Sequence, residues 1–224
     1  SYICESASSY LKQEITTNDI VWSYSGVRPL YDDGASKAQE ATRDYVVSAK
    51  EYDYSLMINI FGGKITTYRR LSETILEHIE NFLGKRGKSW TENSRLPGGE
   101  IKVATLSEFE AKLKNKYSFF TNELIRRLAR SYGEISFDIF GDADSLDALG
   151  ENFGGGLYEA EVQYLINNEW ARSSDDILFR RSKLGLILSE TEIENLNLFL
   201  KKNNTKSQSS ENIVPSENKE VLKA

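Results

Sequence analysis

The run from Leu56 to Phe61 is nearly unbroken in apolar residues and ends in Gly62-Gly63-Lys64, after which the hydrophobic spacing changes. A short apolar run of this kind reads as a central buried strand. The residues beyond it, Leu71, Ile75, Ile79 and Phe82, recur at helical spacing. A strand that passes through glycines straight into a helix requires sheet and helix to pack together. It also leaves the helix start, with its unpaired N–H groups and partial positive charge, beside the strand end. Thr66 or Thr67 is expected to cap that helix and Gly84 and Gly87 to end it. A second segment has the same character: Ser25-Gly26-Val27-Arg28-Pro29-Leu30 leaves an apparent strand through glycine and then presents a cation. Together the two segments form half of an anion-binding site, with the other half expected outside this chain.

The cations themselves carry information. Lys64, Arg69 and Arg70 crowd the start of the helix, where positive charge opposes the helix dipole at about 0.3–1 kcal/mol each when exposed. An anionic ligand would turn that cost into attraction. The competing explanation is pairing with carboxylates such as Glu73, four residues from Arg69. Arg28 is held extended by Pro29, which suits a guanidinium aimed at a phosphate or carboxylate. A salt bridge with Asp32 or Asp33 would explain it equally well. Arg43 alternates with Tyr45 and Val47 on an expected strand and is a weaker candidate.

Around these segments, residues 1–17 read as a short helix and Ile20, Trp22 and Tyr24 as a strand. Past Leu96-Pro97-Gly98-Gly99 the pattern is helical. Thr105 with Glu108 and Ser189 with Glu192 are capping boxes. Ile125, Leu128, Ala129 and Tyr132 form one apolar stripe, ended by Gly133, and Tyr158, Val162, Leu165 and Ile166 form another. Ser174 is expected to start a further helix, and Gly154-Gly155-Gly156 to be a flexible connection. The expected class is therefore α+β: strands that are the remnant of a larger sheet over residues 1–100, an all-α domain over 101–202, and a disordered tail over 203–224.

Composition narrows the function. The net charge is −6 and the pI about 5.1, which argues against bulk nucleic-acid binding but leaves room for a local basic site. Cys4 is the single cysteine, so no internal disulfide forms and a reducing, cytoplasmic setting fits. No apolar run of membrane-spanning length occurs. The single methionine, Met57, is internal, which points to a fragment. His78 is the one histidine, and the rise of about 18 Å from Thr66 keeps it from a ligand at the helix start. Gly-Lys-Ser at 87–89 lacks the first glycine of a phosphate-binding loop, and Asp142, Asp144 and Asp147 do not fit a calcium loop. No metal site is expected. No Gly-x-Gly-x-x-Gly occurs, so the chain cannot itself cradle a dinucleotide pyrophosphate in the doubly wound manner.

Several stretches, in order, resemble the C-terminal part of FAD-dependent (aerobic) glycerol-3-phosphate dehydrogenases. They are Asp19 to Leu30, Thr42-Arg43-Asp44-Tyr45, Phe61 to Arg69, Leu96-Pro97-Gly98-Gly99, Arg130-Ser131-Tyr132-Gly133 and Leu157-Tyr158-Glu159-Ala160-Glu161. The run from Glu169-Trp170-Ala171 through Phe179-Arg180-Arg181 to Leu184-Gly185 extends the match. The resemblance implies an oxidation of sn-glycerol 3-phosphate to dihydroxyacetone phosphate, with FAD passing electrons to quinone. It places Arg28, Lys64 and Arg43 on the substrate and Gly62, Gly63, Ile65, Thr66 and Thr67 against the flavin, most of which the missing N-terminal part would hold. It leaves the catalytic base unassigned and makes this chain alone catalytically incomplete. It also implies peripheral contact of the parent with the cytoplasmic face of the inner membrane. Open strand edges would allow copies to pair. Three alternatives stand beside it: an oxidase of the same fold that uses oxygen, a non-catalytic helical interaction module, and a phosphate sensor.

Overall fold

The computed structural model describes residues 1–27, 29–32, 34 and 42–211. The chain divides into two units, Ser1–Arg95 and Leu96–Ala224. Its class is α+β, with the helices concentrated in the second unit.

In the first unit, helix α1 (Tyr2–Ser8) is followed by a single 3₁₀ turn at Thr17–Asp19. No strand forms at Ile20–Tyr24; among the described residues there is no neighbouring strand for it to pair with, and the Trp22 and Tyr24 rings stack on each other at 5.2 Å. Strands β1 (Tyr45–Tyr52) and β2 (Ser55–Gly62) form an antiparallel hairpin running from Tyr45 opposite Gly62 to Tyr52 opposite Ser55. This corrects the expected central strand. β2 has β1 on one edge, and Met57, Ile60 and Phe61 remain exposed, because an apolar strand needs cover on both faces and this unit supplies little. Helix α2 (Tyr68–Leu83) lies along the hairpin, with Ile75, Ile79 and Phe82 facing Leu56, Ile58 and Ile60 across an open groove. Gly84 ends it, at φ 88°.

The second unit has the core. Helices α3 (Leu106–Lys116), α4 (Asn122–Ser131), α5 (Ile135–Phe140), α6 (Glu159–Asn168) and α7 (Glu190–Glu211) bury Phe109, Leu113, Leu128, Val162, Leu165 and Leu196 completely. The Tyr117 ring stacks on Phe120 at 5.1 Å, and its hydroxyl donates to the Gly141 carbonyl at 2.9 Å. Burial, with Asp142 and Asp138 nearby, pushes the Tyr117 phenol up to about 12, so it remains a donor. Thr105 Oγ1 accepts from the Glu108 N–H and caps α3, while Glu108 reaches back to the Ala104 N–H. Ser189 and Glu192 exchange backbone bonds in the same way at α7.

Three details differ from expectation. The helix expected from Ser174 does start there, but it winds as a π-helix over Asp176–Arg181, and the hydroxyl at its start is that of Ser173. Gly154-Gly155-Gly156 is a packed turn rather than a flexible link: a Cβ on Gly154 would meet Glu192 Oε1 at 2.0 Å. Helix α7 continues to Glu211, into the stretch expected to be without structure; residues 212–224 lie outside the described ones.

Candidate functional site

The hairpin register determines what meets at its open end. The ladder ends where Tyr45 pairs with Gly62, so Arg43, expected on the strand, lies two residues before its start and Lys64 two residues after the end of β2. Both side chains are exposed, and among the described residues neither forms an ion pair. Gly62 has φ 67°, and its open Cβ position lies 3.5 Å from the Tyr31 N and 3.6 Å from the Pro29 carbonyl. The segment that follows Arg28 therefore packs at the same end of the hairpin, while Arg28 itself lies outside the described residues. Three segments separated in sequence converge here, Pro29–Tyr31, Asp44–Tyr45 and Gly62–Gly63, with Arg43 and Lys64 as the flanking residues of the last two.

The glycines also have a reason internal to the fold. Gly63 sits at φ 87°, and a Cβ there would meet the Tyr45 Cβ at 2.8 Å. Strand β1 thus presses directly on the turn, and both glycines are required whether or not a ligand approaches.

Lys64 precedes a 3₁₀ turn, Ile65–Thr67, that leads into α2. Its carbonyl accepts two bonds from Thr67, from the N–H at 3.1 Å and from Oγ1 at 2.8 Å. The Thr67 hydroxyl is thereby committed, and neither Thr66 nor Thr67 caps α2 through its side chain, contrary to expectation. Gly62 and Gly63 are half-buried, whereas Ile65 and Thr66 are exposed beside Lys64. The exposed surface from Lys64 to Thr66 offers backbone, a cation and an apolar side chain.

The remaining cations divide. Arg69 is tied up: its Nη1 lies 3.0 Å from Glu73 Oε1 and donates to Thr91 Oγ1 at 3.3 Å. The same Glu73 oxygen accepts from Ser89 Oγ and Thr91 Oγ1. The hydroxyls of Ser89 and Thr91, and then Arg69, hold the Glu73 carboxyl below its usual range. Arg69 thus follows the ion-pair explanation. Arg70 is exposed without an ion pair among the described residues. His78 is half-buried on α2.

A second polar constellation, missed in the sequence, lies inside the helical unit. Glu161 is 0% exposed. It takes a paired contact from Arg127, with Nη1 at 2.6 Å and Nη2 at 2.7 Å, and a third bond from the Tyr132 hydroxyl at 2.8 Å. Arg127 Nη2 also donates to the Gly156 carbonyl at 2.8 Å. Burial works against the Arg127 charge, but the bonds and charge of Glu161 outweigh it and raise its pKa. Burial, and then the Glu161 charge, raise the Tyr132 pKa as well, so its hydroxyl stays protonated and donates. The signal was present in the spacing. Glu161 is three residues after Tyr158 and four before Leu165, which puts a carboxylate on an apolar face. The Arg127 Nε is buried without a partner, but the charges of Arg127 and Glu161 neutralise each other inside the unit, so the constellation acts as a structural key.

Comparison with known proteins fits this division. Residues 89–198 match the family model of the C-terminal domain of alpha-glycerophosphate oxidase. The chain as a whole is 41% identical to the aerobic glycerol-3-phosphate dehydrogenase of Escherichia coli, over 84% of this chain and 38% of that enzyme. It is 39% identical to the D-erythritol 1-phosphate dehydrogenase of Brucella abortus, over 85% of this chain and 38% of that protein. It is 38% identical to the glycerol-3-phosphate dehydrogenase of Pseudomonas aeruginosa, over 89% of this chain and 39% of that protein. The chain thus spans about two fifths of each relative's length. Its match to the oxidase-type C-terminal domain covers most of the helical unit, with the hairpin end and Lys64 outside it.

Proposed function

We propose that this chain is the C-terminal part of an FAD-dependent dehydrogenase that oxidises sn-glycerol 3-phosphate to dihydroxyacetone phosphate. The observation that supports it is the convergence of Pro29–Tyr31, Asp44–Tyr45 and Gly62–Gly63 at one end of the hairpin, next to Arg43 and Lys64 in sequence, in a chain similar to polyol-phosphate dehydrogenases. Lys64 and Arg43 hold the substrate's phosphate, joined by Arg28, whose neighbour Pro29 packs against Gly62. The exposed stretch after Gly63, with its cation and no ion-paired carboxylate, suits the edge of a flavin. Gly62, Gly63, Ile65, Thr66 and Thr67 would lie against it. FAD, when bound, supplies the two-electron acceptor for the alcohol carbon. The chain's own residues bind and orient the substrate anion, and the general base lies elsewhere in the parent. The helical unit is a cap without chemistry of its own. Quinone takes the electrons onward.

In this proposal the parent meets its quinone at the cytoplasmic membrane surface through peripheral contact; among the described residues no helix is long and apolar enough to cross a membrane. Steady-state kinetics of the complete protein test the proposal. Lys64→Ala and Arg43→Ala should each raise KM for glycerol 3-phosphate by ~10-fold or more, as loss of a charge-assisted phosphate contact does. An unchanged KM in both overturns it. The matched family model carries the name of an oxidase, which favours a second reading in which oxygen is the acceptor. Stoichiometric peroxide release during turnover without added quinone would select that reading.

A further inference from the structure

The cation that the site presents is placed by a helix whose second turn is pinned from two sides. Thr74 faces the hairpin, with its Oγ1 3.4 Å from the Tyr45 hydroxyl, and Tyr45 is the residue against which Gly63 packs. Its neighbour Glu73 faces away, toward the chain that returns after Gly84. One oxygen, Oε1, gathers the Ser89 hydroxyl at 2.5 Å, the Thr91 hydroxyl and the Arg69 guanidinium at 3.0 Å. The side chains of Arg69 and Glu73 are 31% and 26% exposed, so the cluster is shielded from solvent more than a typical surface pair.

Local helix energetics do not account for the arrangement. An exposed i,i+4 ion pair is worth only a few tenths of a kcal/mol, and Arg preceding Glu is the less favourable order. The two hydroxyls come from residues sixteen and eighteen positions downstream, so the bonds fix tertiary placement. They also remove Arg69 from the pool of anion-binding cations while Lys64, five residues earlier, stays unpaired among the described residues.

We infer that Glu73 is a positioning residue for the anion site: by tying Arg69, Ser89 and Thr91 to the second turn of α2, next to the Thr74–Tyr45 contact, it fixes the turn that presents Lys64. The inference rests on the proposed role of Lys64. It requires that loosening Glu73 degrade substrate binding more than turnover, since Glu73 Oε1 is engaged by Arg69, Ser89 and Thr91 and acts through them.

The test is a kinetic series in the complete flavoprotein with glycerol 3-phosphate as substrate. Glu73→Ala should raise KM about five-fold while kcat stays within about two-fold. Glu73→Gln keeps acceptor oxygen for both hydroxyls and should recover most of that loss. Thr91→Val removes one hydroxyl without changing shape and should give a smaller rise, about two-fold; it serves as the measurement if Glu73→Ala fails to fold. Lys64→Ala is run beside them. A KM unchanged in Glu73→Ala and Thr91→Val, with KM raised in Lys64→Ala, overturns the positioning role alone, whatever happens to Tm. A KM unchanged in Lys64→Ala overturns the reading of the site and the inference with it.

Discussion

The two units of this chain are built from similar residues and end in opposite states. In Leu96–Ala224 side chains from five helices close over a continuous core, and even a carboxylate, Glu161, is sealed inside with its partners. In Ser1–Arg95 Cys4 is the one buried side chain among the described residues. Apolar residues are present there in plenty, but Val21, Tyr24, Val27 and Ile65 face outward and the groove between α2 and the hairpin stays open. A hairpin and one helix cannot enclose what they carry. The first unit leaves its apolar residues uncovered, and the second encloses its own. The candidate site lies on the uncovered unit, which fits a site completed by other polypeptide.

The sharpest way to break this contrast is to separate the units. A chain of residues 96–211 should unfold cooperatively in urea, with coincident transitions in far-UV and near-UV circular dichroism. Residues 1–95 alone should show no cooperative transition. A cooperative transition in the shorter piece would end the comparison.

Within the helical unit, Glu161→Ala should cost about 3–5 kcal/mol, because it strands the Arg127 charge in the interior. Denaturant midpoints measure it, and a loss below 1 kcal/mol would mean the pair is far more hydrated than the structure shows. Leu128→Ala should cost about 2–5 kcal/mol, whereas Ile60→Ala, on the half-open hairpin, should cost under about 1 kcal/mol. Equal losses would erase the distinction between core and uncovered surface.

Trp170 gives a smaller effect of opposite sign. It is a bulky residue at φ 56° and 79% exposed, so it pays for a left-handed backbone without burying its ring. Trp170→Gly should therefore raise stability by about 1 kcal/mol, seen as a higher Tm. The smallest effect is a pH dependence. The N–H groups of Arg172 and Ser173 and the Ser173 hydroxyl, with Arg180 beyond them, hold Asp176 down at about 2, below its ordinary 3.8. A lowered carboxyl pKa contributes stability above pH 3.8 that is lost as pH falls toward 2. The difference in urea midpoint between the native chain and Asp176→Asn should shrink over that window, and a constant difference would refute the assignment.

The helical unit was legible because its signals are local. Thr105 with Glu108 and Ser189 with Glu192 announced two helix starts, and the stripes of α4 and α6 announced buried faces. The first unit was harder because its signals describe a neighbourhood. Ile20, Trp22 and Tyr24 alternate as a strand does, yet a strand exists only beside a partner, and the described residues provide none. Leu56 to Phe61 is composed for burial on both faces and finds cover on one. At the site, the sequence singled out Lys64, Arg43 and the glycines, but only the hairpin register brings Tyr45 and Gly62, the residues two positions from each cation, face to face. Tyr45, which shapes the glycine turn, and Glu73, which captures Arg69, act across distances that spacing does not encode. Gly154–Gly156 was misjudged because three glycines look loose in one dimension, while in three they are hemmed in by Glu192, Leu188 and Leu124.

Trp22, Trp90 and Trp170, the protein's full complement of indoles, all sit on the surface. None of them lies in the buried core, so tryptophan emission should change little when the interior comes apart. The interior reports instead through Tyr117 and Tyr132, whose fixed, asymmetric surroundings give them near-ultraviolet ellipticity. Melting curves drawn from tryptophan would thus describe the mobility of the outer shell and make a protein with a well-ordered centre look featureless.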